Sequence, residues 1–177
     1  MKKISLFFTL FFLIFTSGQI KWMTLEEAVE AQRTVPKKIL IEFYTDVCVT
    51  CKKMETETFN HPQIAENLQK NYYLVKFDAE SKKNITLFGR KFSNLGTSKS
   101  KNGASLHEFT KFMSVNAVPT TVFLDEQSMP ITLLQGAITA KELEPYVTFI
   151  STDDYKKISS RDQWESYQKK FKSKIKD

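Results

Sequence analysis

Apolar residues along the chain change their period several times, and each change marks an element. Thr24-Leu25-Glu26-Glu27 forms a capping box, in which a hydroxyl and a carboxylate three residues apart satisfy two otherwise unpaired N–H groups. Leu25, Ala28, Val29 and Gln32 follow at helical spacing, so a helix runs from Leu25 to Arg33 and ends before Pro36. Lys38 to Tyr44 is a dense β-branched and aromatic run, as expected of a central strand covered on both faces, and it contains one carboxylate, Glu42. Thr45 to Val47 then makes a turn, and Cys48-Val49-Thr50-Cys51 leads into a helix-permissive stretch. This order places Cys48 at a helix N-terminus. Asn60 is positioned to cap a further helix with Pro62 in its first turn and Ile64, Ala65 and Leu68 on its inner face. Tyr72 to Asp78 reads as a second strand.

From Ala79 to Ala104 the periodicity is lost. Gly89, Gly96, Gly103 and the polar run Thr97 to Asn102 predict a long loop inserted in the domain, with one helical turn near Leu87 to Phe92. Helical spacing returns at Leu106, Phe109, Phe112 and Met113. Val118 to Asp125 and Ile131 to Gln135, separated by a turn at Glu126 to Ser128, predict an antiparallel hairpin. A second capping box, Thr139 to Glu142, opens a helix with Leu143, Tyr146, Val147 and Ile150 facing inward. Ser160 then caps a short amphipathic helix carrying Trp164, Tyr167 and Phe171, which is expected to pack back on the domain. Alternation of helices and strands ending in a hairpin implies an α/β fold, a central mixed β-sheet flanked by helices on both faces with a C-terminal helical tail.

Composition adds limits to this picture. The chain has 177 residues, 41% of them hydrophobic and 26% charged, which suits one globular domain and excludes collagen-like and disordered classes. Its formal charge of +6 includes Lys2 and Lys3, which precede an apolar run from Ile4 to Phe15 and the small residues Thr16, Ser17 and Gly18. These three regions have the form of a secretory signal peptide over residues 1–18; an uncleaved membrane anchor is the alternative. Without the leader, 24 basic residues stand against 20 acidic ones, and the lysines are dispersed apart from a gathering in the tail. A solvated face explains them, and nucleic acid is not an expected partner.

The two cysteines are too few for a disulfide framework, but their spacing at a helix start suits thiol–disulfide exchange. The helix N-terminus favours the Cys48 thiolate and lowers its pKa below the free value of about 8.5; Cys51, one turn on, is placed to resolve a mixed disulfide. An inert local disulfide and half of a zinc site are the alternatives. The zinc reading lacks a second ligand pair, because His61 and His107 stand far off in sequence, and no metal is expected. Glu42, in an apolar strand six residues before Cys48, either accepts the Cys51 proton through water with a raised pKa or forms an ion pair with Lys38 or Lys76. Pro119, at the head of a strand, marks either a cis bond beside the cysteines, with the Val118 backbone free to bond an extended substrate, or an ordinary edge proline.

Ile41 to Lys52, with Glu42 and the Cys-x-x-Cys, followed by Val118-Pro119-Thr120 at the head of a hairpin, resembles the thioredoxin superfamily. Thr56-Glu57-Thr58-Phe59-Asn60-His61-Pro62-Gln63 and the Val after Cys48 are most similar to the C-terminal periplasmic domain of DsbD-type thiol:disulfide interchange proteins and to secreted thioredoxin-related proteins. The resemblance covers Trp22 to Ile150. It implies a thioredoxin fold over residues 19–150 with the insertion at 79–104, and a C-terminal helical extension over 151–177. It also implies Cys48 as nucleophile, Cys51 as resolving thiol, Glu42 in place of a buried Asp, and Pro119 as the cis-proline. Val49, Thr50 and Val118 become substrate-binding residues, and no cofactor is implied beyond the redox-active disulfide itself. The resemblance points to a periplasmic, monomeric protein disulfide reductase supplied by a membrane or soluble thiol electron donor. Delivery of electrons for cytochrome or metal-site maturation and a non-catalytic binding module are further readings. Val47 replaces a Trp, and Val49-Thr50 replaces Gly-Pro, of thioredoxin itself, which leaves the direction of exchange open. Asp46 beside the site and the lack of a His between the cysteines argue against a strong oxidase.

Overall fold

The computed structural model describes residues 19–96 and 103–176; the expected leader and the polar run Thr97 to Asn102 lie outside them. In chain order the elements are α1 (Leu25–Thr34), β1 (Lys38–Tyr44), α2 (Val49–Met54), a π-helical turn (Glu55–Phe59), α3 (Pro62–Asn71) and β2 (Tyr72–Asp78). A small hairpin follows, β3 (Ile85–Leu87) and β4 (Arg90–Phe92), then α4 (Glu108–Phe112), β5 (Thr120–Leu124) and β6 (Pro130–Gln135). The chain finishes with α5 (Ala140–Ser151), a 3-10 turn (Asp154–Lys157) and α6 (Arg161–Lys170).

Four strands make a mixed sheet in the order β2-β1-β5-β6, with β1 and β2 parallel and the other neighbours antiparallel. A parallel pair needs a crossover, and α2 with α3 supplies it. Alternation along the strands divides the core. Ile39, Ile41, Phe43, Val75 and Phe77 pack under α1, α4 and the small hairpin, while Leu40, Leu74 and Phe123 meet Met54, Phe59, Ile64, Leu68, Leu143 and Val147 on the opposite face. Both capping boxes form as expected, at Thr24 with Glu27 and at Thr139 with Glu142.

Two expectations are corrected. The stretch from Leu87 to Phe92 is not a helical turn; it is the β3–β4 hairpin, closed by Phe88 and Gly89. Both turn residues have positive φ, 53° and 71°, as a two-residue type I′ turn requires. A Phe in the first turn position hides the usual Asn-Gly signal, and Phe92 reveals its role only by packing on Phe109 with ring centroids 5.6 Å apart. Asn60 does not cap α3. His61 holds the capping position without a side-chain bond, and the Asn60 carboxamide oxygen instead accepts the Ile20 N–H at 3.2 Å.

The segment after α5 returns to the domain through aromatic contacts. Trp164 lies 4.7 Å from Tyr146 and 4.9 Å from Phe149 between ring centroids, and Tyr167 lies 4.6 Å from Phe149. Lys38, at the start of β1, adds an ionic tie. Its buried ammonium pairs with Glu126 in the β5–β6 turn and with Asp153 at 2.8 Å. Lys156 also pairs with Asp153, but its side chain is half exposed. Removing one member of a buried pair leaves the other charges uncompensated, so Lys38→Ala is expected to lower stability by about 3 kcal/mol. Lys156→Ala is expected to cost below about 1 kcal/mol. Urea denaturation of the two variants checks this, and equal losses would contradict it.

Candidate active site

Strand β1 ends at Tyr44, and the chain then turns through Thr45 to Val47, where the buried Thr45 carbonyl accepts the Cys48 N–H at 3.0 Å. This turn delivers Cys48 to the N-cap of α2. Its sulfur accepts the Cys51 N–H at 3.1 Å, using one of the donors that a helix start leaves unpaired. Cys48 and Cys51 are joined as a disulfide, with Cα atoms 5.3 Å apart. Cys48 is 9% exposed and Cys51 2%, so Cys48 is the more accessible residue of the pair. Val47 and Val49, 75% and 78% exposed, form an uncovered apolar border around it, and the Thr50 hydroxyl lies 3.5 Å from the Cys48 sulfur. The π-helical turn continues α2 directly, with the Glu55 N–H bonded to the carbonyls of Cys51 and Lys52.

Val118 and Pro119 are joined by a cis peptide bond. The pairing of Thr120 with Phe43 places them at the end of the sheet where β1 turns toward Cys48. The Pro119 carbonyl accepts the Gly136 N–H at 2.8 Å, and the Thr120 hydroxyl donates to the Ala117 carbonyl at 2.7 Å, which fixes the loop from both sides. Val118 is half-buried against the core rather than fully open.

Glu42 is fully buried, and neither of its carboxylate oxygens has a hydrogen-bond partner. By alternation it shares Leu40's face of β1, the face covered by α2, α3 and α5. Its neighbours in register are Lys76 on β2 and Thr121 on β5, and the buried Thr121 hydroxyl is likewise without a partner. The alternative ion pairs of Glu42 with Lys38 or Lys76 do not form. Lys38 is held by Glu126 and Asp153, while Lys76 pairs with Glu55 and sits 4.6 Å over the Tyr44 ring. Glu55 in turn accepts the Trp22 indole N–H at 3.1 Å. Burial pushes the Glu42 carboxyl up to about 7, with the Lys76 charge opposing and the Glu55 charge adding to the rise. A carboxyl in this condition exchanges its proton near neutral pH, as an acid–base group must.

The structure therefore groups Cys48, Val49, Thr50 and Cys51 at one helix start, brings Val118 and Pro119 to the same sheet end, and sets Glu42 inside the sheet on α2's side. Glu55 and Thr121 were not anticipated. Glu55 had a signal, since it lies four residues after Cys51 and so on the same helix face. Thr121 had none, because only strand register makes it a neighbour of Glu42. The two histidines are separate, with His107 buried and taken up by the Phe109 N–H and the Lys83 carbonyl.

The sequence model of a family described as a thioredoxin-like domain matches residues 25–151. The thiol:disulfide interchange protein DsbD of Vibrio vulnificus is 26% identical over 107 residues, 60% of this chain and 14% of that protein. The chain thus spans only a small fraction of the length of that curated relative. A thioredoxin-fold protein from Helicobacter pylori superposes with a TM-score of 0.57 at 14% identity, covering 76% of this chain and 83% of that one. A thioredoxin from Thermus thermophilus superposes with a TM-score of 0.56 at 15% identity, covering 75% and 88%. At these identities the superpositions establish the fold, and they agree with the resemblance read from the cysteine and proline motifs. The family match extends from α1 through α5 and includes the disulfide and the cis Val118–Pro119 bond. The chain belongs to the thioredoxin-like domain family.

Proposed function

We propose that this protein is an exported thiol:disulfide oxidoreductase that reduces disulfides in other proteins. The observation that carries the reading is the Cys48–Cys51 disulfide with its more accessible cysteine at a helix N-cap, flanked in the chain by the exposed Val47 and Val49. A soluble or membrane-bound dithiol donor first reduces the pair, giving up two electrons and two protons. The Cys48 thiolate then attacks one sulfur of a substrate disulfide, forming a mixed disulfide and expelling the other substrate sulfur as a thiolate. Cys51 loses its proton to Glu42 through a water and attacks the Cys48 sulfur. The second substrate sulfur leaves as a thiolate, the proton held by Glu42 returns through the water to it, the first substrate thiolate takes its proton from solvent, and the enzyme disulfide is restored. The disulfide is the only redox group this cycle uses, and one chain completes it. Val49, Thr50 and the Val118 backbone are the nearest contacts for an extended substrate.

Export is supported by the form of residues 1–18, a short basic start, an apolar run and small residues after it. No helix among the described residues is long and apolar enough to cross a membrane.

Purified protein is expected to reduce insulin disulfides with dithiothreitol as donor, Cys48→Ser to abolish this, and Cys51→Ser to accumulate mixed disulfides visible by mass spectrometry. Undiminished activity in Cys48→Ser would refute the mechanism. For a reductase, the midpoint potential of the pair is expected near thioredoxin's, about −270 mV. A value ~150 mV higher would assign the opposite direction of exchange.

Glu42 supplies a test of sign. Its carboxyl holds a proton more tightly folded, at about 7, than at its ordinary value of 4.5. Between these values the folded state binds the extra proton, so stability falls as pH rises and the full cost is present above the upper one. At ~1.4 kcal/mol per tenfold change in proton affinity, this cost is about 3 kcal/mol. Relative to wild type, Glu42→Gln is therefore expected to gain about that much stability between pH 4.5 and pH 8, measured by urea denaturation of the oxidised protein. The same substitution is expected to slow insulin reduction about tenfold or more and to remove any rate inflection near neutrality. A stability difference that does not vary with pH would show an ordinary carboxyl.

A further inference from the structure

The segment Ser173–Lys176 lies outside the family match, yet its Ile175 and Lys176 line a cavity together with Thr50, the residue before Cys51. Its anchor is Glu144 on α5, which is buried. One Glu144 carboxylate oxygen accepts the Ser173 hydroxyl and the other accepts the Lys174 N–H at 2.9 Å. A buried carboxylate is stable only with such partners, and bonds to an ionised acceptor are among the stronger ones in proteins. The latch sets the position of the next residue, Ile175, which is 8% exposed and joins the core face built by α2, α3 and α5.

Ile175 and Lys176 also form one side of a cavity of about 510 Å³. Met54 and Ile138 contribute its apolar floor, and Thr50, between the two cysteines, stands at its border. The Thr58 hydroxyl donates to the Ile138 carbonyl at 2.7 Å, fixing the helical side of the cavity to the loop before α5. The volume is in the range of sites that hold a ligand, about 300–1,000 Å³, and is ample for a bulky side chain with its neighbours. Lys53, Lys141 and Lys176 border it against a single acid, Glu57, so its border is positive on balance. Because Thr50 is common to the cavity and to the Cys-x-x-Cys, a polypeptide engaged with Cys48 has the cavity beside it.

We propose that Ser173–Lys176, latched by Glu144, is a wall of the substrate-docking site, and that Ile175 selects protein substrates carrying a bulky apolar residue next to an acidic one beside their disulfide. The inference rests on the reductase reading for its substrate. The apolar floor fits the first residue, and the positive border fits the second. Ile175 is a specificity residue with no part in the electron transfer. Small disulfides, which do not reach the cavity, are insensitive to it.

The test uses the full chain and three substrates: hydroxyethyl disulfide, a disulfide peptide with Phe-Glu beside one cysteine, and the same peptide with Gly-Ser there. Ile175→Ala is expected to lower kcat/KM for the Phe-Glu peptide about tenfold, mainly through KM. Turnover of hydroxyethyl disulfide and of the Gly-Ser peptide is expected to stay within about twofold of wild type. Lys176→Glu, which leaves the core untouched, is expected to weaken the Phe-Glu peptide about threefold and guards against loss of fold in the first variant. Fluorescence anisotropy of a Phe-Glu peptide with its cysteines replaced by serine, bound to oxidised protein, reads docking without chemistry and is expected to show the same order of affinities. Wild-type protein inactive on all three substrates would remove the reductase reading, while the anisotropy would still decide the docking site. Activity on hydroxyethyl disulfide with no preference between the peptides would overturn the docking site alone. Equal losses on all substrates in Ile175→Ala, or an Ile175-dependent dimer in sedimentation, would also overturn it.

Discussion

Strand β1 is bonded along both edges from Ile39 to Phe43 and buried from Lys38 to Phe43, so no polar side chain in that stretch reaches bulk water. Burial without a partner is costly for a charge. That stretch nonetheless carries a lysine and a carboxylate, Lys38 and Glu42, and they meet the constraint in different ways. Lys38, at the start of the strand, finds two carboxylates from the β5–β6 turn and the segment after α5. Its charge is kept and becomes a tie between three parts of the chain. Glu42, deeper in the sheet, finds none, and its carboxyl responds by holding its proton up to about 7.

That difference separates a charge held by partners from a carboxyl whose proton affinity is raised by burial. The cation nearest Glu42 in register, Lys76, is occupied by Glu55 and the face of Tyr44, so it moderates the carboxyl's proton affinity without neutralising it. Glu55 belongs to the π-helical turn that continues α2, the helix that opens at Cys48. The charge arrangement around Glu42 and the position of the disulfide are consequently set by one helical run packed on one strand. Displacing either disturbs both.

The β3–β4 hairpin and the segment after α5 are attached by separate means. The β3–β4 hairpin contributes Ile85, Leu87 and Phe92 to the core face under α1 and α4. The segment after α5 binds through the aromatic group around Phe149 and through the Glu144 latch, on the opposite face. Only the latter reaches the cavity beside Thr50. The two faces of the sheet thus carry different work: one holds the fold, and the other holds the fold and borders the disulfide.

Much of this was legible locally. Capping boxes at Thr24 and Thr139, the dense run of β1, the Cys-x-x-Cys at a helix start and the β5–β6 hairpin all depend on residues within a few positions of one another, where sequence and structure share one period. The β3–β4 hairpin was misread because Phe88 occupies a turn position usually marked by Asn or Gly, and its three-residue strands are too short to show alternation. Asn60 was misread because a capping side chain and a tertiary one look alike in sequence, and Ile20, forty positions away, claims it. Residue type at short range settles most of the elements, the Cys-x-x-Cys at a helix start and the presence of a carboxylate in a central strand. Whether Glu42 is paired, and what stands beside Thr50, follows from long-range packing alone. Both depend on which side chains strand register and the returning chain bring together, and no local pattern encodes that contact.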